Sequence, residues 1–250
     1  MHTSIGQVRE IRYRAIADDL RSRVTLGEFT AGRLLPSEAA LSASYAASRI
    51  TVRKALEVLR EEGMVDARQG FGWFVAVDPL RQTLARLGTI EAQLAESGRR
   101  SERRILGFGF VPAPPRAASV LAAATVLEVR RLNLADGEPF ALVTVWCPED
   151  LGARLSRSAV EEATFYELLD VPLGGAVQTI GAGLASPEDA ALLEVPPGSP
   201  VLRCERTTST PEGRPVLLSE HMFPAHRTEF VVDLPMVEPS MAPSGLRLLN

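Results

Sequence analysis

Residues 35–75 read LPSEAALSASYAASRITVRKALEVLREEGMVDARQGFGWFV, and the order of local signals in this stretch decides the fold. Ser37 is an N-cap candidate, and Glu38 after it suits the positive end of a helix, so a helix is predicted over 38–45. Ser48 is a second N-cap candidate. After it, Val52, Ala55, Leu56 and Leu59 recur at helical spacing, which predicts a helix over 49–62 that Gly63 stops. Two short runs, 64–68 and 73–77, flank Gln69-Gly70-Phe71-Gly72 and read as strands joined by a Gly-rich tip. Upstream, Tyr13, Ile16, Ala17, Leu20 and Val24 form one apolar stripe, so a first helix is predicted over 12–26, with Gly27 as its stop. Two helices, a turn, a third helix and a hairpin make the order of a winged helix-turn-helix. That fold places one helix in the major groove of DNA.

The outward residues of the third predicted helix are the ones that could reach base edges. Arg49 and Arg53 are four apart and can point the same way. A guanidinium can hold guanine O6 and N7 with two hydrogen bonds. Ile50 is apolar on an outward face and could meet a thymine methyl group. Ser37, Ser48 and Thr51 are small donors suited to phosphate oxygens. Gly70 at the hairpin tip allows close backbone approach to a minor groove, and Gln69 could hydrogen-bond there. The alternative is a three-helix domain with an ordinary charged surface, in which Arg49 and Arg53 are solvated or paired with Glu57.

Length and composition set the frame. The chain has 250 residues, enough for two domains, with 46% hydrophobic and 23% charged residues, a globular balance. The net charge of −4 argues at first against a nucleic-acid partner. Residues 1–80, however, hold 11 basic and 10 acidic residues, so the acidity lies in the remainder. A balanced domain can still bind DNA when its basic groups share one face. No apolar run approaches the roughly 20 residues of a membrane helix, and the N-terminus lacks a signal-like apolar stretch, so a cytoplasmic location without membrane contact is expected. Cys147 and Cys204 are too few for a disulfide framework and lack zinc spacing. No cofactor motif is present; His221 and His226, with Pro224 between them, read as surface or pocket-rim residues rather than a metal pair.

The second half is built on a repeat. VLEVRRLNLADGEPFALVTVWCPED from Val126 matches VLRCERTTSTPEGRPVLLSEHMFPA from Val201 in plan. Each copy has an alternating strand containing Arg, a Gly-x-Pro turn and a second strand. Each follows an Ala/Leu-rich helix, over 115–123 and 187–195. Two hairpins sharing one sheet are predicted, with further strands over 103–112 and 176–184 and a further helix over 89–97. Strand alternation puts Leu127, Val129, Arg131 and Asn133 on one face, and Leu202, Cys204, Arg206 and Thr208 on the equivalent face. An arginine on an apolar strand face needs an anion or hydrogen-bond partners. Arg131 and Arg206 could therefore converge on a phosphate or carboxylate, or else pair with internal carboxylates such as Glu205 or Glu220.

LPSE, SRITVRKAL, LREEGMV and RQGFGWFVA resemble the winged-helix domain of GntR-type bacterial transcription regulators across residues 12–77. LGTIEAQLAESGRRSERRIL, RRLNLADGEPFALV and VLRCERTTSTPEGRPVLLSEHMFPAHRTEF resemble the UTRA ligand-sensing domain of the HutC branch across residues 83–233. The resemblance implies an α+β chain: a winged helix-turn-helix (8–77), a linker (78–88), an antiparallel-sheet domain of chorismate-lyase-like fold (89–234) and a Pro-rich tail (235–250). It implies an operator-binding dimer with Ser48, Arg49, Thr51, Arg53, Gln69 and Gly70 at double-stranded DNA. It also implies a small-molecule effector site that includes Thr89, Arg131 and Arg206. Asn133 is added at a position where a second Arg is common in the family. Ala39 and Val143 depart from the family pattern, where Arg and Glu respectively are common. The expected function is a ligand-responsive regulator, a repressor released from a palindrome by a small anionic metabolite. The alternatives are a lyase-like enzyme domain fused to a DNA-binding module, and a constitutive DNA-binding dimer.

Overall fold

A computed structural model describes residues 5–29, 32–68, 72–76, 80–83, 94 and 98–232. The chain opens with α1 (Ile5–Thr25), α2 (Glu38–Ser44) and α3 (Arg49–Glu61), followed by the hairpin β1 (Val65–Arg68) and β2 (Gly72–Val75). α1 starts earlier than its apolar stripe suggests, because no proline precedes Arg12 to stop it. Both predicted caps form: the Ser37 hydroxyl accepts from Ala40 N at 3.1 Å, and the Ser48 hydroxyl from Thr51 N at 3.2 Å. Ile16, Leu20, Leu41, Val52, Leu56, Leu59 and Val65 close one core under the three helices and the hairpin. Residues 32–35 extend the hairpin: Gly32 N donates to Val75 O, Val75 N to Arg33 O, and Leu35 N to Trp73 O. Gly32 has φ +74°, a left-handed conformation that a side chain would strain.

The second unit is a six-stranded sheet of β4 (Ser101–Pro112), β5 (Thr125–Ala135), β6 (Glu138–Pro148), β7 (Gly175–Leu184), β8 (Pro200–Ser209) and β9 (Pro215–Pro224). Its order is β4-β5-β6-β9-β8-β7, with every pairing antiparallel. The repeat is visible in this order. The hairpins β5–β6 and β8–β9 meet at β6 and β9, and α4 (Pro115–Leu121) and α8 (Pro187–Leu193) precede them. Registers Arg131↔Val143↔His221↔Cys204 and Val129↔Val145↔Ser219↔Arg206 put both repeat arginines on the predicted shared face. That face is packed by Leu127, Val143, Val160, Phe165, Leu217 and Phe223.

Two features depart from expectation. The 78–88 linker is interrupted by β3 (Leu80–Thr83), which pairs in parallel with β10 (Thr228–Val231). A parallel pair between segments so distant in sequence leaves no local turn signal. Between β6 and β7 lie three short helices, α5 (Glu149–Gly152), α6 (Arg157–Glu162) and α7 (Phe165–Leu168), for which the strand pattern gave no warning. Of the predicted helix over 89–97 only Leu94 is described, helical and fully buried. The tail over 235–250 lies outside the described residues.

Candidate functional site

The first site is the outer face of α3. Arg49, Ile50 and Arg53 are exposed, Ile50 at 71%, an unusual setting for an isoleucine. Arg53 does not pair with Glu57. Its Nε and Nη2 donate to both Glu38 oxygens at 2.9 and 2.8 Å, a bidentate tie between α3 and the start of α2. Trp73 Nε1 on β2 donates to the same carboxylate at 3.1 Å. Hydrogen bonding to Arg53, aided by Trp73, holds the Glu38 carboxyl below the usual glutamate range. Glu38 thus joins α2, α3 and the hairpin and orients one of the two candidate reading arginines. Sequence reasoning gave it only a helix-dipole role.

The small donors divide. Ser37 and Ser48 are exposed, with oxygens that already serve as caps. Thr51 corrects the expectation of a free phosphate donor: it is buried, and its hydroxyl lies 2.8 Å from that of Ser48. Gln69 and Gly70 lie outside the described residues.

The second site is a cavity on the sheet face beneath α7. Arg131, Val145, Thr164, Phe165, Tyr166, Arg206, Thr208, Leu217, Ser219 and His221 line about 50 Å³. Two guanidinium groups, four hydroxyls with Tyr166 included and one imidazole converge there, and among the described residues no carboxylate lines it. Arg131 is 7% exposed. Arg206 Nε donates to Gln178 Oε1 of β7 at 2.7 Å, and its Nη1 to the Tyr166 hydroxyl at 3.3 Å. His221 Nε2 is 3.0 Å from Ser219 Oγ. Thr164 caps α7 by exchange with Glu167, whose carboxylate accepts from Thr164 N and Oγ1, both at 2.8 Å. The cavity is thus a cationic, hydroxyl-lined box with an aromatic lid. It suits an anion held by planar donors. Its free volume accommodates only a few water-sized groups.

Sequence reasoning placed Arg131 and Arg206 together and missed Tyr166 and Ser219; His221, read as a surface or pocket-rim residue, is buried in the lining. Asn133 is not in the lining. It pairs with Ala141 beside a register shift, fully buried two residues past Arg131. Thr89 lies outside the described residues. The proposed internal carboxylate partners are elsewhere: Glu205 and Glu220 lie on the opposite face, Glu205 gripped by Arg116 and Glu220 exposed. That face carries a larger groove of about 400 Å³, at which Arg130 pairs with Glu188 and Asp189 and Arg116 with Glu205. Burial pushes the Cys147 thiol up to about 12 and the Cys204 thiol up to about 11, so neither is poised as a nucleophile.

The two units touch at the turn after β9. Arg227 is buried, and its Nη1 donates to Pro139 O at 2.6 Å and to Leu193 O at 3.4 Å. Its Nη2 donates to Gly32 O of the first unit at 2.9 Å. His226 Nε2 donates to the same Gly32 oxygen at 3.1 Å, and its ring lies 5.1 Å from that of Phe74. Arg33 forms ion pairs with Glu138 at 2.8 Å and with Glu194. Burial and the nearby Arg33 pull Arg227 down to about 10, against Glu138, which still leaves it a cation at neutral pH. Among the described residues no group of three or more His, Cys, Asp or Glu gathers as a metal site, and no helix is long and apolar enough to cross a membrane.

Known proteins match both units. Residues 12–75 match the model of bacterial regulatory proteins of the gntR family, and residues 96–229 match that of the UTRA domain. The chain is 34% identical over 232 residues to the HTH-type transcriptional regulator Rv0792c of Mycobacterium tuberculosis, covering 90% of this chain and 86% of that one. It is 26% identical over 226 residues to the HTH-type transcriptional repressor NagR of Bacillus subtilis, covering 88% and 93%. The crystal structure of PhnF from Mycobacterium smegmatis shares the fold, with a TM-score of 0.59 at 23% identity over 87% of this chain and 98% of that one. The winged helix-turn-helix, the repeat-built sheet and these matches agree: the chain belongs to the GntR family of bacterial transcription regulators and carries a UTRA domain.

Proposed function

We propose that this chain is a repressor that holds a palindromic operator through α3 as a homodimer and releases it when a small anionic metabolite enters the cavity beneath α7. One observation carries the ligand half: a cavity with two arginines, a histidine and hydroxyls in its lining and, among the described residues, no carboxylate. Such a site stabilises an anion that fills it with hydrogen bonds of the charge-assisted kind. On the DNA side, exposed Arg49 and Arg53 supply base-edge donors, and Ile50 an apolar contact beside them. The capped turns at Ser37 and Ser48 bring the first backbone N–H groups of two helices to the same surface, where phosphate oxygens are accepted. The named relatives are transcriptional regulators, which supports a binding use of the Ser219–His221 contact over a catalytic one.

The test joins both halves. Phosphorylated or carboxylated metabolites are screened for a raised Tm, since a ligand of the folded state stabilises it. Those that raise it are then added to protein bound to a selected operator. The expected result is operator affinity lowered by about 5–150-fold, the range of ordinary coupling energies, with no effect from the neutral parent compounds. Protein that prefers no DNA sequence over random competitor, with or without metabolite, overturns the reading.

A further inference from the structure

The outer face of the sheet repeats itself with its charges exchanged. Arg116 on α4 donates to Glu205 on β8; at the equivalent place in the other copy, Glu188 on α8 accepts from Arg130 on β5. α4 packs over Val126, Trp146 and Leu218, and α8 over Leu132, Leu142 and Val201. The groove of about 400 Å³ on this face has Arg130 and Glu205 in its lining. Two further charged residues line it, Arg203 on β8 and Glu220 on β9. Both are exposed, and among the described residues neither side chain has a hydrogen bond or an ion pair. The repeat shows why. Glu128, the equivalent of Arg203, stands opposite Trp146 and accepts from its Nε1 at 2.8 Å. Arg203 stands opposite Met222, whose thioether is only a weak acceptor. Glu220 replaces Thr144 of the first copy and stands opposite Glu205, a like charge. Arg203 leans away from Glu220, over β7: a Cβ at Gly183 would meet its Cδ at 3.0 Å.

We propose that this groove is a second small-molecule site and that it takes a zwitterionic α-amino acid, with its carboxylate on Arg203 and its ammonium on Glu220. One unengaged cation and one unengaged carboxylate on the same face match a ligand that carries both signs. A purely anionic metabolite would meet Asp189, Glu205 and Glu220 there, and a purely cationic one Arg130 and Arg203. In the β8–β9 register Arg203 and Glu220 are diagonal neighbours, about 7–8 Å apart. An α-amino acid spans such a gap, because each charge-assisted hydrogen bond adds about 2.7–2.9 Å to the short distance between its own charges. Thr144 and Thr179 add hydroxyls, Leu142 and Met222 supply an apolar floor for the ligand's side chain, and Gly181 and Ala182 keep the β7 side low. The chemistry is the opposite of that beneath α7, where two arginines line the cavity and, among the described residues, no carboxylate does. Glu220 lies between Ser219 and His221 on β9, so the two sites grip one strand from its two faces. The groove stands apart from the operator reading and is measured without DNA.

The standard L-α-amino acids are added singly to the full chain, and binding is read as a raised Tm and by isothermal titration calorimetry. At least one is expected to bind. Its N-acetyl form, without the ammonium, and its methyl ester, without the carboxylate, should not. Arg203→Gln and Glu220→Gln should each weaken the binding by about tenfold or more, the loss of one hydrogen bond to a charged group. Arg131→Ala, in the cavity beneath α7, should leave it unchanged. Both glutamines replace exposed side chains, so the fold, read by circular dichroism, should be unaltered. Three results overturn the proposal: no amino acid binds, the N-acetyl or ester form binds equally well, or binding is lost in Arg131→Ala and kept in both glutamine variants. Should a variant misfold, the comparison with the two derivatives decides, since it uses the wild-type chain.

Discussion

Arg53 meets the DNA question already occupied. Its guanidinium spans both oxygens of Glu38, and Trp73 braces that carboxylate from the hairpin. A planar donor held this way is pre-oriented, so less rotamer freedom is lost when a base replaces or shares the acceptor. Among the described residues Arg49 has no such tether, so the two arginines should respond differently to substitution. Arg49→Ala and Arg53→Ala should each weaken binding to the preferred operator by about 1–3 kcal/mol and relax base preference at one position, as read by competition with single-base operator variants. Glu38→Gln should keep affinity for random DNA and erode preference, since it removes orientation and not charge from Arg53. The sign of the pH effect follows from the depressed Glu38 carboxyl. Its folded value lies below the unfolded one near 4.3, so the tie is intact above that and is lost only as pH falls through the lower folded value. An NMR titration of the Glu38 carboxyl should therefore show a midpoint below the ordinary range, restored towards it in Arg53→Ala.

At the scale of elements, what could be read in advance was what local chemistry sets. α2 and α3 were legible because Ser37 and Ser48 announce their starts and an apolar face follows each cap. Replacing Ser48 by Ala should lower unfolding stability by about 1 kcal/mol in denaturant titration, because Thr51 N then loses its acceptor. β5, β6, β8 and β9 were legible because the repeat showed the same plan twice, and alternation alone put Arg131 and Arg206 on one face. The lid was not. α5, α6 and α7 have four to six residues each, too short for a 3.6-residue period to show, and Tyr166 stands out only once α7 is folded over Arg206. Ser219 was hidden differently, and His221 legible only as a surface or rim candidate: they lie on a strand whose register to β6 and β8, not its own sequence, turns them towards Arg131 and Arg206. Asn133 falls outside the lining for the converse reason, since alternation gives a face but not how far along it the cavity extends.

For the molecule as a whole, the strands that line the cavity are the same strands that reach the DNA-binding unit. β9 carries Ser219 and His221 and runs directly into the turn where His226 and Arg227 hold the Gly32 carbonyl. β5 carries Arg131 and leads through its turn to Glu138, which holds Arg33. A shift of either strand at the cavity would therefore reach residues 32–35, which are themselves hydrogen-bonded to the hairpin at Trp73 and Val75. Coupling needs such an element with two arrangements, and a buried arginine shared among three carbonyls is a contact that is either made or broken. Arg227→Met keeps the bulk of the side chain and removes the donors, leaving the oxygens of Gly32, Pro139 and Leu193 without this partner. Stability should fall by at least about 1.5–3 kcal/mol, the scale of a hydrogen bond to a charged group. The informative result lies in the linkage. Metabolite should still raise the Tm of Arg227→Met, because the cavity is intact, while its effect on operator affinity shrinks towards none. Coupling that persists at the wild-type value in a folded Arg227→Met would place the connection elsewhere, along β3 and its parallel partner β10, the other described tie between residues following the hairpin and the second unit.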